Sequence, residues 1–186
     1  TVGAGPSPTR TGASSYLFDG TAGMVSVPIS ATQNQALIPA TSGMLQDATK
    51  ALTAEAWIYL LTVPGATTYY AVAGIYDGTN YNWMFQIYGP RLCFFPGYGK
   101  YQCTNNVLTA GQWYHLAATY TGANAANSTS DTRLYINGVL QPYDLSTTTA
   151  MAPRAAVAGT VVGIGGLNNT YENFPGYISE VAFYNT

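Results

Sequence analysis

The sequence predicts an all-β fold, an antiparallel two-sheet jelly-roll sandwich, and three observations carry that reading. Short apolar or alternating runs recur along the chain; Gly, Asn and Asp turn signals separate them; and no segment sustains an apolar period of about 3.6. The 186 residues suit a single sandwich domain with its own core. The stretch 1–14, rich in Gly, Pro, Ser and Thr, reads as an arm or linker, leaving 15–186 for the domain.

The runs 15–18 and 24–27 flank Asp19-Gly20-Thr21-Ala22-Gly23, a hairpin signal. The segment 33–50 is less regular and has room for a helical turn. A strong strand follows at 51–61. The runs 69–76 and 81–88 enclose Asp77-Gly78-Thr79-Asn80 as a second hairpin. In 81–88, Trp83, Phe85 and Ile87 share one face, and Asn82, Met84, Gln86 and Tyr88 the other. A further hairpin joins 91–95 to 101–104, and folding it about Tyr98 sets Cys93 opposite Cys103. Opposed residues of such a pair lie about 4.5 Å apart at Cα, within reach of a disulfide. Two buried thiols are the alternative. A strand at 112–121, a polar loop at 122–130, and a tight hairpin about Asn137-Gly138 come next. Strands at 158–165 and 176–184 complete the chain.

Composition narrows the partners. Hydrophobic residues make up 47% and charged ones only 8%, so solubility rests on Thr, Ser, Asn, Gln and Tyr. The net charge is −2 and the six basic residues are scattered, which argues against nucleic acid as a partner. No apolar run approaches the roughly 18 residues of a membrane span, so membrane insertion is not expected. The chain starts at Thr1 and reads as processed or excised from a longer one.

Six blocks occur in a meaningful order: Tyr16-Leu17-Phe18-Asp19-Gly20; Leu52-Thr53-Ala54-Glu55-Ala56-Trp57-Ile58; Gly111-Gln112-Trp113-Tyr114-His115-Leu116-Ala117-Ala118-Thr119-Tyr120; Leu134-Tyr135-Ile136-Asn137-Gly138; Val162-Gly163-Ile164-Gly165; and 174–185, beginning Phe174-Pro175-Gly176-Tyr177. Together they resemble the laminin G-like domains of the concanavalin A-like lectin/glucanase superfamily. The resemblance implies two curved antiparallel sheets, with the first and last strands near each other. It fixes no function, because the fold hosts lectins, adhesion modules, hydrolases, lyases and virion proteins. Such domains often carry Asp before the Glu of the last strand; here Ser179 stands there.

Catalytic signals are sparse. Glycoside hydrolysis ordinarily needs two carboxyls at a set separation, and the Glu-x-Asp-x-x-Glu strand of the related glucanases is absent. Of the eight acidic residues, Glu55 and Glu180 lie on strong strands, where the resemblance implies structural hydrogen bonds to backbone. His115, the one histidine, reads as a half-buried sheet residue, and no Gly-x-Ser-x-Gly elbow accompanies it. The chain is therefore expected not to be an enzyme. One His and two Cys make a zinc site improbable. No cofactor is certain, but a structural calcium ion is conceivable, with Asp19 as the metal candidate because its turn offers carbonyls beside a carboxylate; an Asx-type turn is the alternative.

The surplus is aromatic: 16 Tyr and three Trp. Sugar rings present flat C–H faces that stack on such rings, and phenols also hydrogen-bond hydroxyls. Trp57, Trp83 and Trp113 are expected in the core. Tyr69, Tyr76, Tyr81, Asn82, Tyr98 and Tyr101, at strand ends or in loops, are the candidate ligand-binding residues. Three functions compete. The first is a non-catalytic glycan-binding or adhesion module that is extracellular or surface-exposed, with a glycan or glycoprotein surface as partner. The second is a structural or decoration module of a virion, fibre or cell surface, held by neighbouring subunits. The third is a glycan-degrading enzyme.

Overall fold

The computed structural model describes residues 2–6, 14–28, 51–76, 81–97, 100–121, 132–148, 161–167 and 172–184. Among them the strands are β1 (Val2–Pro6), β2 (Ser14–Asp19), β3 (Val25–Pro28), β4 (Leu52–Leu60), β5 (Tyr69–Tyr76), β6 (Tyr81–Tyr88), β7 (Arg91–Gly97), β8 (Lys100–Thr104), β9 (Trp113–Tyr120), β10 (Thr132–Ile136), β11 (Val139–Leu140), β12 (Tyr143–Thr148), β13 (Val161–Ile164) and β14 (Pro175–Tyr184). They form two seven-stranded antiparallel sheets. The terminal sheet runs β1-β2-β14-β4-β9-β10-β11, and the meander sheet β12-β8-β7-β6-β5-β13-β3. The first long strand, β2, does pair with the last, β14.

Period-2 alternation builds the core. Along β4, Leu52, Ala54, Ala56, Ile58 and Leu60 are buried, and along β9 so are Tyr114, Leu116, Ala118 and Tyr120. From the meander sheet Trp83, Phe85, Ile87, Leu92 and Phe94 join the same cluster. Trp83 packs against Phe183 with ring centroids 5.0 Å apart. A bulge between Ser179 and Ala182, with Glu180 at φ 51°, shifts the register of β14 and turns Val181 and Phe183 onto this core.

Three hairpins form as the sequence predicts: β5–β6, β7–β8 and β10–β11. The last has Asn137 and Gly138 at φ 52° and 77°, the left-handed pair that a tight two-residue turn requires. Elsewhere the structure differs. β2 and β3 do not pair: β2 lies in the terminal sheet and β3 in the meander sheet, so the Asp19–Gly23 connection crosses the sandwich. Within the N-terminal stretch, Val2–Pro6 pairs with β2 as an edge strand. Strand β12 lies where no strand was expected. The segments 33–50 and 122–130 lie outside the described residues.

Trp57 and Trp113 are not core residues; only Trp83 is. The inward positions of β4 are taken by Ala54, Ala56 and Ile58, and alternation then points Trp57 outward. The same logic turns Trp113 out beside buried Tyr114.

Candidate functional site

The outward face of the meander sheet is unusual because it is partly covered. Ala71, Met84, Gln86, Cys93 and Cys103 point away from the core yet are buried, Gln86 being 1% exposed. Cys93 and Cys103 face each other in register and form a disulfide, with Cα atoms 4.1 Å apart.

Part of the cover comes from the chain between β13 and β14. Beyond the last β13–β5 pair, Ile164 with Ala73, the chain keeps to the edge of β5. The Val72 carbonyl accepts from the Gly165 amide at 3.0 Å, and the Ala71 amide donates to the Glu172 carbonyl at 2.7 Å. Leu167 then packs on Ala71 and Met84, with Phe95 alongside. Gly74 permits this seat, since a Cβ there would stand 2.8 Å from both Leu167 Cδ2 and the Trp83 carbonyl oxygen. Glu172 takes φ 57°, a left-handed conformation uncommon for a residue with a side chain.

That backbone holds a carboxyl among phenols. Glu172 Oε2 is buried without a hydrogen-bond partner in the chain, and burial pushes the Glu172 pKa up to about 7. Tyr69 and Tyr88, opposite each other in register, stack with centroids 4.3 Å apart and planes 18° apart. Burial first, then the neighbouring Tyr88, Tyr101 and Glu172, push the Tyr69 hydroxyl up to about 12. Phe95 meets Tyr69 edge-on at 6.5 Å and Tyr101 at 5.0 Å. In the floor, Gln86 Oε1 is also buried without a partner. At the margin, Arg91 donates from Nε and Nη2 to Asp144 Oδ2 at 2.9 and 2.7 Å. The arrangement offers stacking surface, hydroxyls and two unmatched polar groups.

Of the residues singled out in the sequence, Tyr69 and Tyr101 meet here. Tyr76 and Tyr81 pair with each other at the opposite end of the β5–β6 hairpin, with Asn82 next to Tyr81. That is about 20 Å along the strands from Tyr69, so they belong to a different locality. Tyr98 lies outside the described residues. Asp19 is engaged in its own turn: Oδ1 accepts from the Thr21 amide, the Thr21 hydroxyl and the Ala22 amide at 3.0, 3.0 and 3.3 Å. Asn173 Nδ2 ties that turn down by donating to the Thr21 carbonyl. Among the described residues no group of three or more His, Cys, Asp and Glu side chains could hold a metal ion. Glu55 was expected to bond backbone, and its Oε1 instead accepts from the Tyr184 hydroxyl at 2.8 Å; the Ser179 hydroxyl donates to the Ser14 carbonyl at 3.2 Å.

Sequence reading missed Tyr88, Gln86, Phe95 and Glu172. The hairpin register was the available signal for the first two, because Tyr69 opposite Tyr88 also sets Ala71 opposite Gln86.

A model of the concanavalin A-like lectin/glucanases superfamily, the Laminin_G_3 group, matches residues 30–186. The chain belongs to this family. No curated protein matches it. Among solved structures, it is similar to domain 4 of AbnA, an extracellular GH43 arabinanase from Geobacillus stearothermophilus, in complex with arabinotriose. The TM-score is 0.59 at 16% identity, covering 100% of this chain and 75% of that one. It is also similar to botulinum neurotoxin type C, whose cell entry depends on two ganglioside molecules (TM-score 0.58, 14% identity, 99% of this chain and 41% of that one). A third likeness is to Trypanosoma rangeli sialidase (0.58, 15% identity, 97% and 26%). The chain thus spans less than half of the toxin and sialidase structures, and at these identities the likeness establishes the fold alone.

Proposed function

We propose that this chain is a non-catalytic glycan-binding or adhesion module of a secreted or surface-exposed protein, with its ligand on the outward face of the meander sheet. The observation that carries the reading is the stacked Tyr69–Tyr88 pair with Phe95 and Tyr101 alongside, over a floor in which Gln86 Oε1 and Glu172 Oε2 are buried without a partner in the chain. A buried polar atom without a partner costs about 1–3 kcal/mol. A water admitted to this floor recovers that cost and can pass a hydrogen bond on to a sugar hydroxyl, while the C–H face of the sugar ring lies on the phenols.

Other features support it. The related arabinanase domain holds arabinotriose, and the toxin uses gangliosides. Among the described residues, the carboxyls on this face are Glu172 and Asp144, and Asp144 is engaged by Arg91. A glycosidase needs a cooperating pair. The disulfide suits an oxidising compartment.

The test is a broad glycan array with the purified chain, run with calcium and with a chelator, followed by titration of any hit against Tyr101→Ala and Glu172→Ala. Specific binding, weakened at least tenfold by each substitution, is expected. Chelator sensitivity would implicate the Asp19 turn in holding an ion. Silence in both conditions would overturn the reading and favour a structural module within an assembly.

A further inference from the structure

We propose that the outward face of the terminal sheet is a second carbohydrate-binding surface, which takes a neutral glycan chain on the rings of Trp57, Tyr59, Trp113 and Tyr177. It lies on the sheet opposite the site proposed above and stands independently of it.

The register assembles the surface from three adjacent strands. Tyr59 of β4 pairs with Trp113 of β9 on one side and with Tyr177 of β14 on the other. Trp57 pairs with His115. Ring centroids are 5.6 Å apart for Tyr59–Trp113, 5.9 Å for Tyr59–Tyr177, 6.3 Å for Trp113–Tyr177 and 5.2 Å for Trp57–His115. All five side chains are half-buried, and they occupy positions that a solvated sheet face ordinarily fills with polar residues. These rings meet at tilted or edge-on angles of 45–77°, in contrast to the stacked Tyr69–Tyr88 pair.

Three features select the occupant. First, the rings are amphipathic. Trp57 and Trp113 each carry an indole N–H, and Tyr59 and Tyr177 each a phenol O–H, at the rim of a half-buried ring. Each therefore offers a donor beside an apolar face, the combination that a sugar ring uses. Second, charge excludes an ionic partner. Strands β4, β9 and β14 carry no Lys or Arg, and their one histidine, His115, faces the Glu55 carboxylate, so no free fixed cation on them holds an acidic sugar or a phosphate. Of the carboxylates on these strands, Glu55 is occupied by the Tyr184 hydroxyl at 2.8 Å and by His115 Nε2 at 3.5 Å, and Glu180 stands in the β14 bulge, away from the ring cluster. Third, the patch is small. Three strands at about 4.8 Å spacing, two or three side chains deep, give roughly 200 Å². A stable protein interface takes about 800 Å² from each partner, so the area suits a few sugar residues rather than a second copy of the chain.

The tryptophans make the test selective. The chain has three; Trp57 and Trp113 are on this face and Trp83 is 1% exposed in the core. The outward face of the meander sheet has no tryptophan among its described residues. The intact chain is titrated with linear cello-, xylo-, arabino- and malto-oligosaccharides while tryptophan emission and acrylamide quenching are followed. The expected result is a saturable emission shift with protection from quenching for at least one series. Tyr177→Ala, which keeps both tryptophans, should weaken that response at least tenfold, and Tyr101→Ala on the opposite sheet should leave it unchanged. If Tyr177→Ala misfolds by circular dichroism, Tyr177→Phe replaces it, with a smaller loss expected from the missing hydroxyl. No emission change with any series at millimolar concentration overturns the proposal. So does a response abolished by Tyr101→Ala, or sedimentation showing that the face is buried in a dimer. Failure of binding at Tyr101 with the tryptophan response intact would sink only the meander-sheet reading.

Discussion

The two outward faces of the sandwich are both aromatic but are built differently. On the meander sheet Leu167, from the connection after β13, packs on Ala71 and Met84, and Gln86 and the disulfide are buried in the same face, leaving polar atoms in a covered floor. On the terminal sheet the rings of Tyr59, Trp113 and Tyr177 contact one another, and Trp57 lies against His115. The covered face depends on a connection held by a few backbone hydrogen bonds and one left-handed glutamate. The open face depends only on strand register. A perturbation of the loop should therefore act on one face and spare the other.

The largest expected effect tests that dependence. Gly165 sits at φ 75°, and a Cβ there would stand 2.2 Å from the Phe18 ring. Gly165→Ala combines overpacking with left-handed strain and should cost roughly 3–4 kcal/mol in denaturant unfolding. Under conditions where it still folds, glycan binding at the meander face should fall while the tryptophan response persists. Equal loss at both faces would break the comparison. Next comes the disulfide. Replacing Cys93 and Cys103 with Ser opens a loop closed over a sequence separation of 10 and should cost about 3 kcal/mol. Thermal melts with and without reductant would measure it, and a reductant-insensitive wild type would contradict it.

A smaller effect isolates Glu172. Its pKa rises from 4.5 to about 7 on folding because burial penalises the charged form. The unfolded chain therefore releases this proton at lower pH than the folded one. Stability should fall as pH rises from about 4.5 to about 7 and level off above. The loss is on the order of 2 kcal/mol, allowing for the solvent that still reaches the side chain. Glu172→Gln should remove that slope and make the protein more stable at pH 8 while changing little at pH 4.5. An unchanged pH profile in the variant would show that the carboxyl is not desolvated. The smallest effect belongs to the open face: Tyr177→Ala removes cross-strand ring contacts alone, and about 1 kcal/mol is expected. A markedly larger loss would mean that these rings hold the sandwich together rather than lie on it.

Much of the fold was legible in the chain. Alternation marked β4 and β9, the Asn137-Gly138 pair marked its hairpin, and the spacing about Tyr98 set Cys93 opposite Cys103. The site was less legible. Tyr69 and Tyr101 could be named as exposed aromatics, but Glu172 lies about a hundred residues from Tyr69, and the chain after β13 brings it there by extending its pairing along β5 through the Gly165–Val72 and Ala71–Glu172 backbone bonds. The Asp19 turn looked like a hairpin because turn chemistry is local, and it does not record whether the next strand returns to the same sheet or crosses to the other.

What the sequence alone determined is the period: strands, their turns, and which side chains share a face. Which of two alternating faces turns inward was decided only by tertiary packing. On β4 both faces carry apolar side chains, one Leu52, Ala54, Ala56, Ile58 and Leu60 and the other Trp57 and Tyr59 beside Thr53 and Glu55. The small inward residues let the opposite sheet bring Trp83, Phe85 and Phe94 into the same core, and close packing of that volume leaves no room for the indole of Trp57. The large rings therefore face out, and the surface they form exists because the core was filled from the other side.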